Sequence, residues 1–205
     1  AFDAYDASSD PNPYPIRIHL DVGDLFDQAG GIDSSDYDLG GGNEIPFYRC
    51  LYLGTSSVHN ASNCADLYKI KQDHFQSARR FIFHYFIIGW SQQTNGGIGS
   101  SGLAEIHGND GIVTIGSWNG LGAGDEQEIV NYQAATLLHE LGHNFGLNHG
   151  GNEPNNYKPN YVSSMNYLYQ LNGLDTDNNA DVFYYGGFEP QGTHPKFTSL
   201  FGLSL

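Results

Sequence analysis

The sequence predicts an α+β domain, with a small sheet, one long helix over about 126–144, and a loop-rich part after it. Three observations lead there. Ile16 to Val22 alternates apolar and polar residues, the period-two pattern of a half-buried strand. Phe81 to Ile88 is aromatic and β-branched almost throughout, the composition of a strand covered on both faces. Residues 125 to 146 carry both the start and the stop signals of a helix.

Taken in order, the elements are as follows. After the strand at Ile16–Val22, Gly23 to Asn43 is rich in Gly, Asp and Ser and reads as a long surface loop. Cys64–Gln76 suits a short helix. Phe81–Ile88 follows as a central strand, although a helical reading of the same run stays open. A glycine-rich stretch from Gly96 to Gly102 leads into two further strands, Leu103–His107 and Gly111–Gly116. Gly120–Gly124 is a turn. Asp125 is placed to N-cap the long helix, with Glu128 completing a capping box. The helix then runs from Glu126 to about Asn144 and stops where Gly146 permits a left-handed turn. Beyond it come short segments rich in Asn, Tyr and Gly, with no internal repeat and no interdomain linker. The 205 residues therefore read as a single domain, 1–205.

The formal net charge is −15, from 23 acids against 8 basic residues. Such a chain repels nucleic-acid phosphates and anionic membranes, so neither is expected as a main partner. There is no long apolar run to insert in a bilayer. Ten of the acids lie within the first 44 residues, where bound calcium, adaptation to salt or plain solubility would each account for them. A second acidic string, Asp175-Thr176-Asp177-Asn178-Asn179-Ala180-Asp181, sets oxygen donors at alternate positions. Asp175, Asp177, Asn179 and Asp181 are thus candidate calcium ligands. Ala180 and Gly186 stand where an EF-hand needs glycine and glutamate, so a full EF-hand is not expected.

Cys50 and Cys64 are the only cysteines. Their even count and short separation fit one disulfide and an oxidising compartment. Two buried free thiols are the alternative, while zinc-finger spacing is missing.

The chemistry concentrates in His139-Glu140-Leu141-Gly142-His143-Asn144-Phe145-Gly146-Leu147-Asn148-His149. On a helix, His139 and His143 project from one face, one turn apart, so two ring nitrogens can meet one ion. Glu140 stands beside that ion rather than on it, where it can take a proton from a water. Gly146 lets the chain turn out of the helix, and His149 returns as third ligand. A fourth coordination position stays open, as a catalytic zinc requires. A bare HExxH string recurs by chance, but the glycine and the third histidine at fixed offset set this one apart.

The string resembles the HExxHxxGxxH signature of the metzincin metallopeptidases. That resemblance implies a zincin domain with a twisted mixed sheet, an upper part over about 1–146 and a lower part over about 147–205. It also implies a methionine turn, matched by Ser163-Ser164-Met165-Asn166-Tyr167. There Met165 would form a hydrophobic floor under the histidines. Tyr167 matches the tyrosine that astacins and serralysins use to stabilise the tetrahedral intermediate. An aromatic wall of the substrate pocket is its other reading. The text around Tyr157–Tyr161 also resembles a group of secreted microbial metzincins.

Members of the clan bind peptide against an edge strand, and Gly102–Ile106, with Leu103, Ala104 and Glu105 at its centre, is the candidate. One departure concerns the N-terminal side, where a strand and a long backing helix usually come first. Here fifteen residues precede Ile16, so the helix lies elsewhere, near Cys64–Gln76, or the leading segment has been removed.

The expected protein is a secreted, monomeric zinc endopeptidase that cleaves proteins or peptides with a zinc-bound water activated by Glu140. Its leader would precede Ala1. The competing expectations are a calcium-dependent binding module that keeps zinc for stability, and a zinc hydrolase of non-peptide substrates. His84, in the aromatic run, reads as a satisfied core residue.

Overall fold

The computed structural model describes residues 45–54, 64–118, 126–171, 173–175 and 181–182. The strand at Ile16–Val22, the loop after it, the turn at Gly120–Gly124, the Asp125 cap, and Asp177 and Asn179 lie outside them.

The architecture is α+β. The elements are β1 (Leu51–Tyr52), β2 (Ala65–Asp66), α1 (Leu67–His74), β3 (Tyr85–Ile88), β4 (Gly102–Ala104), β5 (Asp110–Val113), α2 (Glu126–Asn144), β6 (Leu174–Asp175) and β7 (Asp181–Val182). The main sheet is mixed, in the order β3-β5-β4, with β3 parallel and β4 antiparallel to β5. Every residue of β5 is buried, as befits the middle strand.

Strand register explains the two faces. Ile87 pairs with Ile112 and Leu103 pairs with Ile112, so three aliphatic side chains form one row across the sheet. They pack with Leu51 and Leu53 and with Leu67 and Ile70 of α1, forming the core. Helix α1 lies on that face because its Leu67 and Ile70 are three apart and share one side. Asp66 caps it, accepting a hydrogen bond from the Tyr68 N–H at 3.0 Å. The other face carries Gly102, Ala104, Gly111 and Val113, and α2 packs there against β4 and β5.

Cys50 and Cys64 form a disulfide with a Cα–Cα distance of 4.6 Å, tying together the parallel pair β1–β2. By loop entropy such a crosslink is worth about 3 kcal/mol.

One element departs from expectation. Phe81–Ile88 is not a central strand. Only Tyr85–Ile88 is extended, and β3 lies outermost in the described sheet. Phe81 is 92% exposed, in a turn that follows a short 3-10 helix at Ser77–Arg79. The Asn109 amide secures that turn by donating to the carbonyls of Arg80 and Phe83. The Arg79 guanidinium lies 4.2 Å from the Phe83 ring centroid, a cation–π contact that occupies this aromatic outside the sheet. The strands expected at 103–107 and 111–116 are shorter than the sequence suggested, since the chain turns at His107, whose φ is 57°. The short helix falls within Cys64–Gln76, and α2 spans the expected residues.

Candidate active site

Helix α2 delivers His139, Glu140 and His143 to one place, all buried. It ends in a Schellman turn. The Gly146 N–H donates to the His143 carbonyl at 2.8 Å, and the Leu147 N–H donates to the Gly142 carbonyl at 2.9 Å. Gly146 has φ +88°, and a Cβ there would also lie 2.1 Å from Cε1 of His107. Backbone conformation and space both demand glycine. Asn148 and Gly151 then bridge antiparallel, each N–H donating to the other's carbonyl, which places His149 in a tight turn facing the helix.

The two helical histidines have their tautomers set by main-chain oxygens. His139 Nδ1–H donates to the Ser164 carbonyl, and His143 Nδ1–H donates to the Leu147 carbonyl, each at 2.7 Å. Nε2 is thereby left as the lone-pair nitrogen of each ring. His143 Nε2 and His149 Nε2 stand 3.2 Å apart, and one ring nitrogen from each of the three histidines lies within 4.8 Å of the others. Two nitrogens on one tetrahedral zinc, each about 2.0–2.1 Å from it, stand about 3.3 Å apart. The residues fit zinc.

Electrostatics agree with geometry. Burial pushes His139 down to about 3, and it also lowers His143 and His149. The rings are therefore neutral, the form that ligates metal. Burial pushes the Glu140 carboxyl up to about 8.

The segment at 163–167 borders the site through the Ser164 carbonyl and the Tyr167 ring. Met165 is fully buried, and its N–H donates to Ser163 Oγ at 3.1 Å. Asn166 braces the turn, donating to the carbonyls of Lys158 at 2.7 Å and Tyr161 at 2.9 Å. The Tyr167 ring stands 4.5 Å from the ring of His149 and 5.6 Å from that of His139. Asn156 Oδ1 holds its backbone by accepting from the Tyr167 N–H at 3.0 Å.

Strand β4 is outermost in the described sheet, with Gly102 against Glu140. Ser101 and Glu105 spend main-chain groups on β5: Thr114 N–H donates to the Ser101 carbonyl and Glu105 N–H to the Asp110 carbonyl. Leu103 shares their parity, so the peptide groups of Gly102 and Ala104 are the ones that turn away from β5. The Leu103 side chain packs on the core, and the Glu105 carboxylate accepts from Tyr68 Oη and from the Asn109 N–H. Asp175 and Asp181 pair across the β6–β7 ladder, well along the chain from the histidines.

Sequence reasoning overlooked Asn144. Its Nδ2 donates to the carbonyls of Glu105 at 3.0 Å and Asp110 at 3.1 Å, and its Oδ1 meets Nδ1 of His84 at 2.9 Å. It thus docks the end of α2 on the β4–β5 turn. A polar, weakly helix-forming residue in the last helical turn was the available signal. His84 has a hydrogen-bond partner, as expected, but it is exposed rather than a core residue, because its half of the aromatic run lies outside the sheet. His107 packs on Gly146 and donates its N–H to the His143 carbonyl at 3.1 Å.

Residues 55–150 match the family described as metallo-peptidase family M12B, reprolysin-like, a stretch that holds all three histidines and Glu140 and ends before Met165. No curated protein and no solved structure matches the chain. Over that stretch the chain is similar to the reprolysin-like metallopeptidases, and the three clustered histidines are arranged as a metal site would need.

Proposed function

We propose that this chain is a secreted zinc endopeptidase in which His139, His143 and His149 hold the metal and Glu140 is the catalytic base. The carrying observation is the convergence of three neutral imidazoles beside one buried carboxyl. When bound, zinc supplies Lewis acidity, acidifying a water and polarising the scissile carbonyl. Glu140 takes the proton from the attacking water and returns it to the leaving amine. The Tyr167 hydroxyl, beside His149, donates to the oxyanion. The peptide adds as a strand along β4, and the outward peptide groups of Gly102 and Ala104 receive its main chain, with Leu103 and Glu105 spacing them. Secretion is supported by the Cys50–Cys64 disulfide.

Digestion of casein by the zinc-loaded protein tests this reading. The expected result is cleavage that phenanthroline abolishes and zinc restores. Stoichiometric zinc with no cleavage of diverse proteins would overturn it in favour of a zinc hydrolase of another substrate.

Calcium remains part of the proposal through Asp175 and Asp181, which the β6–β7 register sets opposite each other. Titration calorimetry with calcium should give heat that Asp181→Asn removes. No heat with the parent would discard the site.

A further inference from the structure

The first residue of β4 has no side chain, and the space where one would stand is occupied by the proposed base. A Cβ built on Gly102 would lie 2.6 Å from Oε1 of Glu140, 2.7 Å from its Cγ and 2.8 Å from Cγ2 of Thr136. All three distances are below any ordinary carbon contact, so something would have to move. The strand is held in place. Ser101 accepts from the Thr114 N–H at 2.6 Å, Ser100 Oγ donates to the Gly102 carbonyl at 2.9 Å, and Thr114 Oγ1 donates to the Ser100 carbonyl at 3.0 Å. The fully buried Thr114 also accepts from Gln92 Nε2 at 2.8 Å. The helix is held too, since His139 is fixed to Ser164 and Asn144 to the β4–β5 turn. What remains to yield is the side chains of α2, Glu140 first, since two of its atoms stand closest, and then Thr136.

We propose that Gly102 is a positioning residue for proton transfer: the missing side chain at this place on β4 lets the Glu140 carboxyl stand beside the three histidines. The inference rests on the peptidase reading and adds to it a coupling between β4 and the base. The strand proposed to receive the peptide is also the strand that sets where the base stands. Docking of substrate and alignment of the proton acceptor therefore share one short piece of backbone. A residue with a Cβ at 102 leaves the outward peptide groups available and the zinc ligands untouched, yet displaces the acceptor. Its signature is a fall in kcat with KM little changed.

Gly99 supplies the control. It lies in the same glycine-rich run, but a Cβ there first meets the flexible Gln93 side chain, at 3.0 Å from Nε2. Gly102→Ala and Gly99→Ala should be compared with the parent for zinc content, kcat and KM on a cleaved peptide, and the Tm of the zinc-free protein. Gly102→Ala is expected to keep one zinc per chain and a KM within about threefold, while kcat falls about 10²-fold, the scale of an ångström's misplacement. Gly99→Ala should behave as the parent. Gly102→Ala should also lower the Tm of the zinc-free protein, and Glu140→Ala should restore most of that loss by emptying the contested space.

A folded, zinc-loaded Gly102→Ala with parental kcat would overturn the proposal. So would a Tm loss of equal size in the Glu140→Ala background, since Glu140 would then not feel position 102. If the parent cleaves no peptide, the peptidase reading falls and takes the catalytic part with it. The Tm comparison still decides whether Gly102 and Glu140 compete for one space.

Discussion

The two faces of the sheet are built on opposite principles. Toward α1 the sheet presents the Ile87–Ile112–Leu103 row, large side chains that interlock with Leu51, Leu67 and Ile70. Toward α2 it presents Gly102, Ala104 and Gly111, and the helix brings polar groups close to that backbone: Glu140, Thr136 and Asn144. The first face holds the fold through apolar burial, which is insensitive to small changes of angle. The second accepts buried polar groups, which are costly unless each is placed and partnered. Stability and chemistry thus divide across one layer of three strands.

Substitutions can break or sharpen this division. The largest effect should come from Glu140→Gln, which removes the proposed proton acceptor and keeps the shape. Turnover should fall about 10²–10⁴-fold, while zinc content by atomic absorption stays at one per chain. Near-parental turnover would remove the α2 face from the chemistry. Ile112→Ala, on the opposite face, should cost about 2–5 kcal/mol in urea unfolding. The folded fraction should keep its kcat, and a kcat that fell in step would mean the faces are not separable.

Asn144→Ala tests the border, because it removes a donor from the Glu105 and Asp110 carbonyls and the partner from His84. A loss of about 1–3 kcal/mol is expected. Here kcat should fall as well, since the end of α2 is released from the β4–β5 turn. The smallest effect belongs to Tyr167→Phe, which keeps the ring and removes the hydroxyl. A kcat lower by about tenfold, or about 1.4 kcal/mol, with unchanged KM would support an oxyanion contact. A change in KM alone would make Tyr167 a wall of the pocket.

The parts of the molecule that could be read from sequence are those whose geometry is local. His139, Glu140 and His143 lie within five residues of helix, so spacing alone places them, and Gly146 announces the turn that returns His149. The Cys50–Cys64 pair needed only an even count and a short separation. The sheet was harder. Phe81–Ile88 has the composition of a buried strand, but composition reports apolarity and not what covers it. Arg79 and Asn109 hold half of that run in a turn, and neither is identifiable without the fold. Gly102 was equally hidden: one glycine in a glycine-rich run shows nothing of the carboxyl that will stand against it.

The histidines are oriented by the carbonyls of Ser164 and Leu147, which no substitution of a side chain can delete. The identity of the half-buried Leu147 is therefore free to drift so long as the backbone keeps its course, and the buried Ser164 is limited by space rather than by any role of its side chain in holding His139. A saturation scan would show tolerance at 147, and at 164 tolerance of small residues, next to intolerance at 139 and 143. In evolutionary terms, the ligand geometry is stored in the path of the chain, where point mutation has little to act on.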